Sequence, residues 1–445
     1  MGSGGRGFGI AASFAALCLL HRPAGSAEPA PTGNIDLTRA SRWFAEFDSL
    51  CAQDGGALWG VSFCGPMLVV DPGTRQVVAN RADPEHVLKA QGGVFVGDLP
   101  AGLPIANTAV EWQGIRWTMI MWWSLGAKQR SRLRLMGHEC FHRMQPQLGL
   151  ESSGALAEHL DTAGGRFWMQ LEWNALQQAM LAEGAARRTA IADALAFRAA
   201  RRARFPEAAE REVPLEINEG VAEYSGMRLA GYSNADVVKA VTAKRADETG
   251  FVRSFAYVSG PLYGFLLDGA SDDWRKHLTP RTDLAAALAV AMRIASTAIP
   301  NTAAAEGDAE ERAAAYGGAA LRAAEDGRET ERQAQLATWR AALVDGPVLV
   351  VDLKLVKSGS FDPGKVFPFG DKQTVYTTRD LEAEWGLLTV REGAILEDSN
   401  TMQGRVAVSG SDTDRSKGIG WTLQVAAGWR IAPAERAGDF RLVKE

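Results

Sequence analysis

The chain has 445 residues, too many for one small core, so one large or two ordinary domains are expected. Apolar residues make up 46%, aromatic residues 8% and charged residues 23%, the composition of a folded globular protein rather than a disordered or fibrous one. A net charge of -5 lacks the strongly basic footprint of nucleic-acid binders, so no nucleic-acid partner is expected.

At the amino end, Arg6 precedes the apolar run from Gly9 to Leu20, which is too short to span a bilayer as a helix. The small residues Ala24-Gly25-Ser26-Ala27 follow, and then polar Glu28, which completes the pattern of a secretory signal over residues 1–27. The expectation is an exported protein, periplasmic or secreted, with a membrane anchor as the alternative reading of the run. Leu17 is bulky where a lipoprotein signal has a small residue. No later segment is apolar and long enough to cross a membrane, so the mature chain is expected to lack a transmembrane segment. Cleavage leaves Cys51, Cys64 and Cys140. Cys51 and Cys64 either pair in an oxidising compartment or remain buried thiols, and Cys140 is the odd one out.

Residues 28–40 read as a mobile leader. Trp43, Phe44, Phe47, Leu50 and Cys51 fall on one face of a helix expected over residues 41–52. Residues 57–63 and 67–71 read as strands. Asp71-Pro72-Gly73-Thr74 turns the second into a hairpin with residues 75–80, and Gln113-Gly114 joins a second hairpin, residues 108–112 with 115–122. The stretch 117–122 is either an edge to which an extended substrate adds by backbone hydrogen bonds or a buried strand.

Residues 128–144 have a helical pattern that Pro146 is expected to stop. Lys128, Arg130, Arg132 and Arg134 crowd its first half, as a solvated face or as an attractor for acidic substrate. One or two long helices follow over 165–203, with Phe167, Leu171, Trp173, Leu176, Met180 and Leu181 as a buried stripe. Another helix spans 216–229. The Ala- and Glu-rich stretch 303–324 reads as a solvated helix or mobile connection. After Gly346 the pattern alternates, at Leu349, Val351, Leu353 and Leu355 and again at Ile419, Trp421, Leu423 and Val425. The turns Asp362-Pro363-Gly364, Gly370-Asp371 and Gly410-Ser411-Asp412 separate the strands. The fold class is therefore α+β. Residues 41–345 form one domain, mostly helical in its second half with a helical insertion at about 150–210, and residues 346–445 a small all-β domain.

Chemistry concentrates in His138-Glu139-Cys140-Phe141-His142. On a helix the two imidazoles leave one face and can reach one metal ion, with Glu139 beside them to take a proton from water. Neutral imidazoles favour zinc, and a catalytic zinc normally has three protein ligands. Glu219 and Glu223, four apart in Leu215-Glu216-Ile217-Asn218-Glu219-Gly220-Val221-Ala222-Glu223, can supply the third ligand and a hydrogen bond that fixes a ligand ring. His159 and Asp161 are the rival third ligands. The His-x-x-Gly-x-x-His extension of metzincins is excluded by Gln145 and Leu148.

The pair His138-Glu139-x-x-His142 and Asn218-Glu219-Gly220-Val221-Ala222-Glu223-Tyr224 resembles the gluzincin metallopeptidases, with their thermolysin-like and aminopeptidase-like members, over roughly residues 105–270. The resemblance implies a zincin-like domain and one zinc ion per chain on His138, His142 and Glu219. It also implies Glu139 as general base and a peptide or protein substrate. Tyr257-Val258-Ser259-Gly260 is similar to a downstream helix of the aminopeptidase-like members, which implies Tyr257 as donor to the oxyanion; packing with Phe255 and Tyr263 is the alternative. Two departures stand out. The 77-residue interval from His142 to Glu219 is long for the group, and the Gly-x-Met-Glu-Asn signature that recognises a free amino terminus is absent. The expected function is an exported zinc-dependent peptidase. The alternative is a catalytically silent zinc-binding envelope protein that recognises a partner through its β domain.

Overall fold

The computed structural model describes residues 35–152, 156–247, 250–294, 303–408 and 415–445. Residues 1–27, read as an export signal, and Gly410-Ser411-Asp412, read as a turn, lie outside the described residues. The fold is mixed α/β: a helix and a six-stranded sheet, then a run of helices, then a second sheet built from the C-terminal strands.

Helix α1 (Leu37–Asp54) begins inside the stretch read as a mobile leader. Asp36 caps it by accepting the Arg39 amide at 3.0 Å, and Ile35 and Ala40 are buried, so this part of the leader is anchored. Residues 57–63 form turns where a strand was expected, because Gly56 and Gly60 take positive φ (86° and 72°) and the Cys51–Cys64 disulfide closes the segment. The closed loop delivers Trp59 and Phe63 into the core.

Strands β1 (Met67–Val70), β2 (Gln76–Ala79), β3 (Lys89–Gln91), β4 (Val94–Asp98), β5 (Thr108–Trp112) and β6 (Ile115–Met121) make one sheet in the order β3-β4-β2-β1-β6-β5. Both expected hairpins form, the second through positive φ at Gln113 and Gly114. Strand β3 is exposed throughout and has no apolar alternation to announce it. β6 pairs with β5 on one side and runs parallel to β1 on the other. It is an interior strand with both backbone edges occupied, so the substrate-adding edge is ruled out.

The motif helix α2 (Gln129–Leu148) passes through Pro146 instead of stopping before it. Proline removes only the amide that would bond the His142 carbonyl, and the helix ends a turn later at Gly149 (φ 67°), where the amides of Gly149 and Leu150 bond the Gln145 carbonyl. Its basic residues are a solvated face only in part: Lys128 and Arg130 are exposed, Arg130 donating to Asp236 at 2.8 Å, whereas buried Arg132 donates to Glu46 at 2.6 Å and Arg134 to Glu223.

Helices α3 (Ala163–Leu181) and α4 (Gly184–Arg204) pack together and bury the predicted stripe, except Leu181, which is 61% exposed. Helix α5 (Ala208–Leu215) continues through one π turn, Glu216–Gly220, into α6 (Val221–Leu229), where a plain helix was expected. Next come α7 (Asn234–Asp247), α8 (Ala256–Asp268), α9 (Leu284–Ala291), α10 (Ala303–Ala313) and α11 (Gly318–Arg340). The last two are largely exposed, as a solvated helix would be, but they are not loose. Tyr316, between them, donates to Asp193 on α4 at 2.8 Å, and buried Glu325 accepts from Arg166 on α3 at 2.5 Å.

The C-terminal strands are β7 (Val348–Asp352), β8 (Val356–Phe361), β9 (Val366–Gly370), β10 (Gln373–Ala383), β11 (Gly386–Asp398), β12 (Gln403–Ala407), β13 (Lys417–Gly418), β14 (Trp421–Val425), β15 (Trp429–Pro433) and β16 (Phe440–Lys444). They join one sheet, antiparallel except where β16 meets β7, around Leu349, Val351, Trp385, Leu388 and Ile395. The alternation from Leu349 to Leu355 breaks at Asp352, whose side chain accepts the Lys354 amide and starts a 3-10 turn. Ile419 lies outside β14 and is exposed. Among the described residues no helix is long and apolar enough to cross a membrane.

Candidate metal centre

One turn apart on α2, His138 and His142 bring their Nε2 atoms to 3.1 Å. Oε2 of Glu219, from the π turn, lies 3.7 Å from the first and 3.6 Å from the second. Two ligands about 2.0–2.1 Å from a tetrahedral ion stand roughly 3.3 Å apart, so these atoms match three corners of such a site. The donor set, two imidazoles and one carboxylate, is of a type that holds a divalent transition-metal ion.

Glycines let the helices come close enough. A Cβ on Gly226 of α6 would lie 2.3 Å from the Arg134 carbonyl of α2, and one on Gly260 of α8 would lie 2.2 Å from Cα of Gly220. Backbone therefore meets backbone where α2, the π turn with α6, and α8 converge.

Each ligand is held from behind. Nδ1 of His138 lies 3.0 Å from Oε2 of Glu223, which also accepts from Arg134 through its other oxygen. Nδ1 of His142 lies 2.8 Å from Oε1 of Gln145, whose amide nitrogen donates to Asn218 Oδ1 at 3.2 Å. Asn218 donates to Oε1 of Glu219 at 3.1 Å, and Arg253 donates to the same oxygen at 2.9 Å. The Tyr257 hydroxyl donates to Glu219 Oε2 at 2.7 Å, and its ring stacks on His138 with centroids 5.7 Å apart.

Burial opposes ionisation throughout this centre, and the neighbours decide the outcome. Burial would raise the Glu219 carboxyl, but the two histidines and Arg253 hold it well below the usual carboxylate range. Burial likewise opposes Glu223, and Arg134 with His138 brings it down to about 2. Glu139 goes the other way. It is fully buried, neither of its oxygens has a partner among the described residues, and burial pushes it up to about 7 against the pull of the histidines.

The rival ligands stand elsewhere. His159 lies 2.8 Å from Glu212, and Asp161 pairs with Arg332 at 2.8 Å. Both are held by these partners, and Glu219 is the carboxylate that meets the histidines. Cys140 is buried, against Thr118. Gln145 and Arg253 are contributors that the motifs do not reveal. Gln145 has a legible cue, three residues after His142 on one helix face, whereas Arg253 has none.

The carboxylate segment extends beyond the centre. Glu212, Glu216, Glu219 and Glu223 are all buried, and each has a guanidinium partner: Arg201 at 2.7 Å, Arg198 at 2.6 Å, Arg253, and Arg134.

Comparison of the chain with protein-family models, with curated proteins and with solved structures finds no match.

Proposed function

We propose that the protein is an exported zinc-dependent metallohydrolase, a peptidase with a zincin-like, gluzincin-type centre. The observation that carries this reading is the meeting of the Glu219 carboxylate with the His138–His142 pair beside the buried carboxylate of Glu139. His138, His142 and Glu219 would hold one ion per chain. When bound, zinc supplies the Lewis acidity that activates water and polarises a carbonyl near neutral pH.

The chain's own groups do the rest. Glu139 takes the proton from the attacking water and delivers it to the leaving amine, a task open to a buried carboxylate that has no hydrogen-bond partner among the described residues. Tyr257, whose hydroxyl donates to Glu219 Oε2 in this structure, would have to turn that one donor from the carboxylate to serve the developing oxyanion. Glu223 and Gln145 hold the rings of His138 and His142 in register. The Cys51–Cys64 disulfide supports an oxidising compartment and hence export.

The experiment is Glu139→Gln, with zinc content and cleavage of a peptide library measured side by side. Retained zinc with turnover lost by about 10²-fold or more fits the proposal; parent-like cleavage overturns it. A second reading, a zinc-binding envelope protein without catalysis that recognises its partner through the β domain, is favoured by the burial of the triad, in which His142 is the most exposed at 8%. Full zinc occupancy with no cleavage of any library member by the unaltered protein would select it.

A further inference from the structure

Arg253 precedes α8 and is buried between two parts of the chain that the sequence separates by about 140 residues, the order of size of a whole domain. On one side its Nη2 donates to Oε1 of Glu219 at 2.9 Å. On the other, its guanidinium carbon lies 5.9 Å from the ring centroid of Phe361, the last residue of β8.

Phe361 is itself braced. Its ring meets that of Tyr376 on β10 edge to face at 5.4 Å, and Arg379, also on β10, lies 5.1 Å from the Tyr376 ring while donating to Glu397 of β11 at 2.7 Å. Just before Arg253, a Cβ on Gly250 would come within 3.3 Å of the Gly364 and Val366 carbonyl oxygens, so the backbone leading to Arg253 lies close against the turn between β8 and β9. The segment carrying Arg253 is thus held by the C-terminal sheet at the same time as it holds Glu219.

We infer that the C-terminal β domain is an integral part of the metal centre: Phe361 fixes Arg253, and Arg253 is a positioning residue that ties down Oε1 of Glu219. Oε2 is then the oxygen presented to the two imidazoles, and Glu219 engages through one atom rather than two. Asn218 shares the task on Oε1 from the π turn itself, but Arg253 brings the charge and the link to the sheet. This gives the β domain a role in the chemistry rather than in partner recognition. It rests on the reading that His138, His142 and Glu219 bind a metal.

The test uses the full chain and cobalt(II) as the probe, with affinity read by chelator competition and ligand geometry read from the visible absorption. Arg253→Gln lowers affinity about tenfold or more, Phe361→Ala lowers it in the same direction, and Arg253→Lys restores part of the loss. Because Phe361 acts through Arg253, the double variant binds no more weakly than Arg253→Gln alone. In Arg253→Gln the visible bands weaken as the freed Glu219 engages with both oxygens, a change that a purely structural role would not produce. Phe361 is only partly buried, so its truncation is the variant that keeps the fold. Parent-like affinity in Phe361→Ala, or losses that multiply in the double variant, overturns the inference alone. A parent protein that takes up no cobalt overturns the metal reading and this inference with it.

Discussion

Nδ1 of His138 lies 3.0 Å from Oε2 of Glu223, while Nε2 of the same ring faces Nε2 of His142 at 3.1 Å. With Glu223 ionised, Nδ1 carries the proton and Nε2 presents its lone pair to the site. Glu223→Gln keeps the shape but removes the charge that selects this tautomer. Zinc affinity should fall about 10- to 100-fold, measured by competition with a chelator. Equal affinity in parent and variant would show that the ring is oriented by its other contacts.

Gly260→Ala tests whether close backbone approach assembles the centre. The added methyl would start 2.2 Å from Cα of Gly220, so the π turn and α8 must separate. Overpacking of this kind costs about 1–3 kcal/mol. Thermal unfolding should register the loss, and zinc affinity should fall with it because Glu219 rides on the displaced turn. A variant with parent stability and affinity would mean that the helices tolerate a wider spacing.

Acid stability should depend on Asp283. Its side chain caps α9, accepting the Ala285 and Ala286 amides at 2.9 and 3.2 Å, and it pairs with Arg202. Burial alone would raise its carboxyl, but Arg198 and Arg202 bring it down to about 2 from 3.8. A depressed folded pKa means that the stabilisation is complete above the unfolded value and disappears as pH falls through the folded one. Asp283→Asn retains a competent cap, so the loss of roughly 2 kcal/mol at neutral pH isolates the charge. Denaturant titrations at several pH values should show the parent and variant curves converging between pH 4 and 2, and a constant gap would count against this assignment.

The Cys51–Cys64 disulfide spans 13 residues of sequence. A closed loop of this size contributes roughly 3 kcal/mol through the unfolded chain. Reduction should therefore lower the thermal midpoint, while Cys140, buried with its thiol pushed up by that burial, should resist thiol reagents until the protein unfolds. Rapid labelling of Cys140 in the folded protein would contradict its packing.

The parts of this molecule that were legible in the sequence are those written locally. His138 and His142 share a helix face because four residues make about one turn, and the Gln113-Gly114 hairpin follows from two residues that accept positive φ. Residues 57–63 misled because their apolar content reads as a strand, whereas two glycines and a disulfide bend them. Pro146 misled because a proline one turn from a helix end removes a bond that the ending can forgo. Glu219 was separable from His159 and Asp161 only through partners distant in sequence: Glu212 had already claimed His159, and Arg332 had claimed Asp161. Arg253 had no signal at all, since its partners are distant in sequence, Glu219 on the π turn and Phe361 on the C-terminal sheet.

The four buried glutamates at 212, 216, 219 and 223 constrain how this protein can change over time. Each carboxylate meets at least one guanidinium, and Glu212 and Glu216 share Arg198, along a helical segment that contains a π turn. Deleting or inserting one residue within it would rotate everything beyond by about 100° and leave several buried charges facing the wrong partners at once. The segment can accept substitutions one at a time, but its length is locked. Descendants of this chain should therefore gain and lose residues in their surface loops while the spacing from Glu212 to Glu223 stays the same.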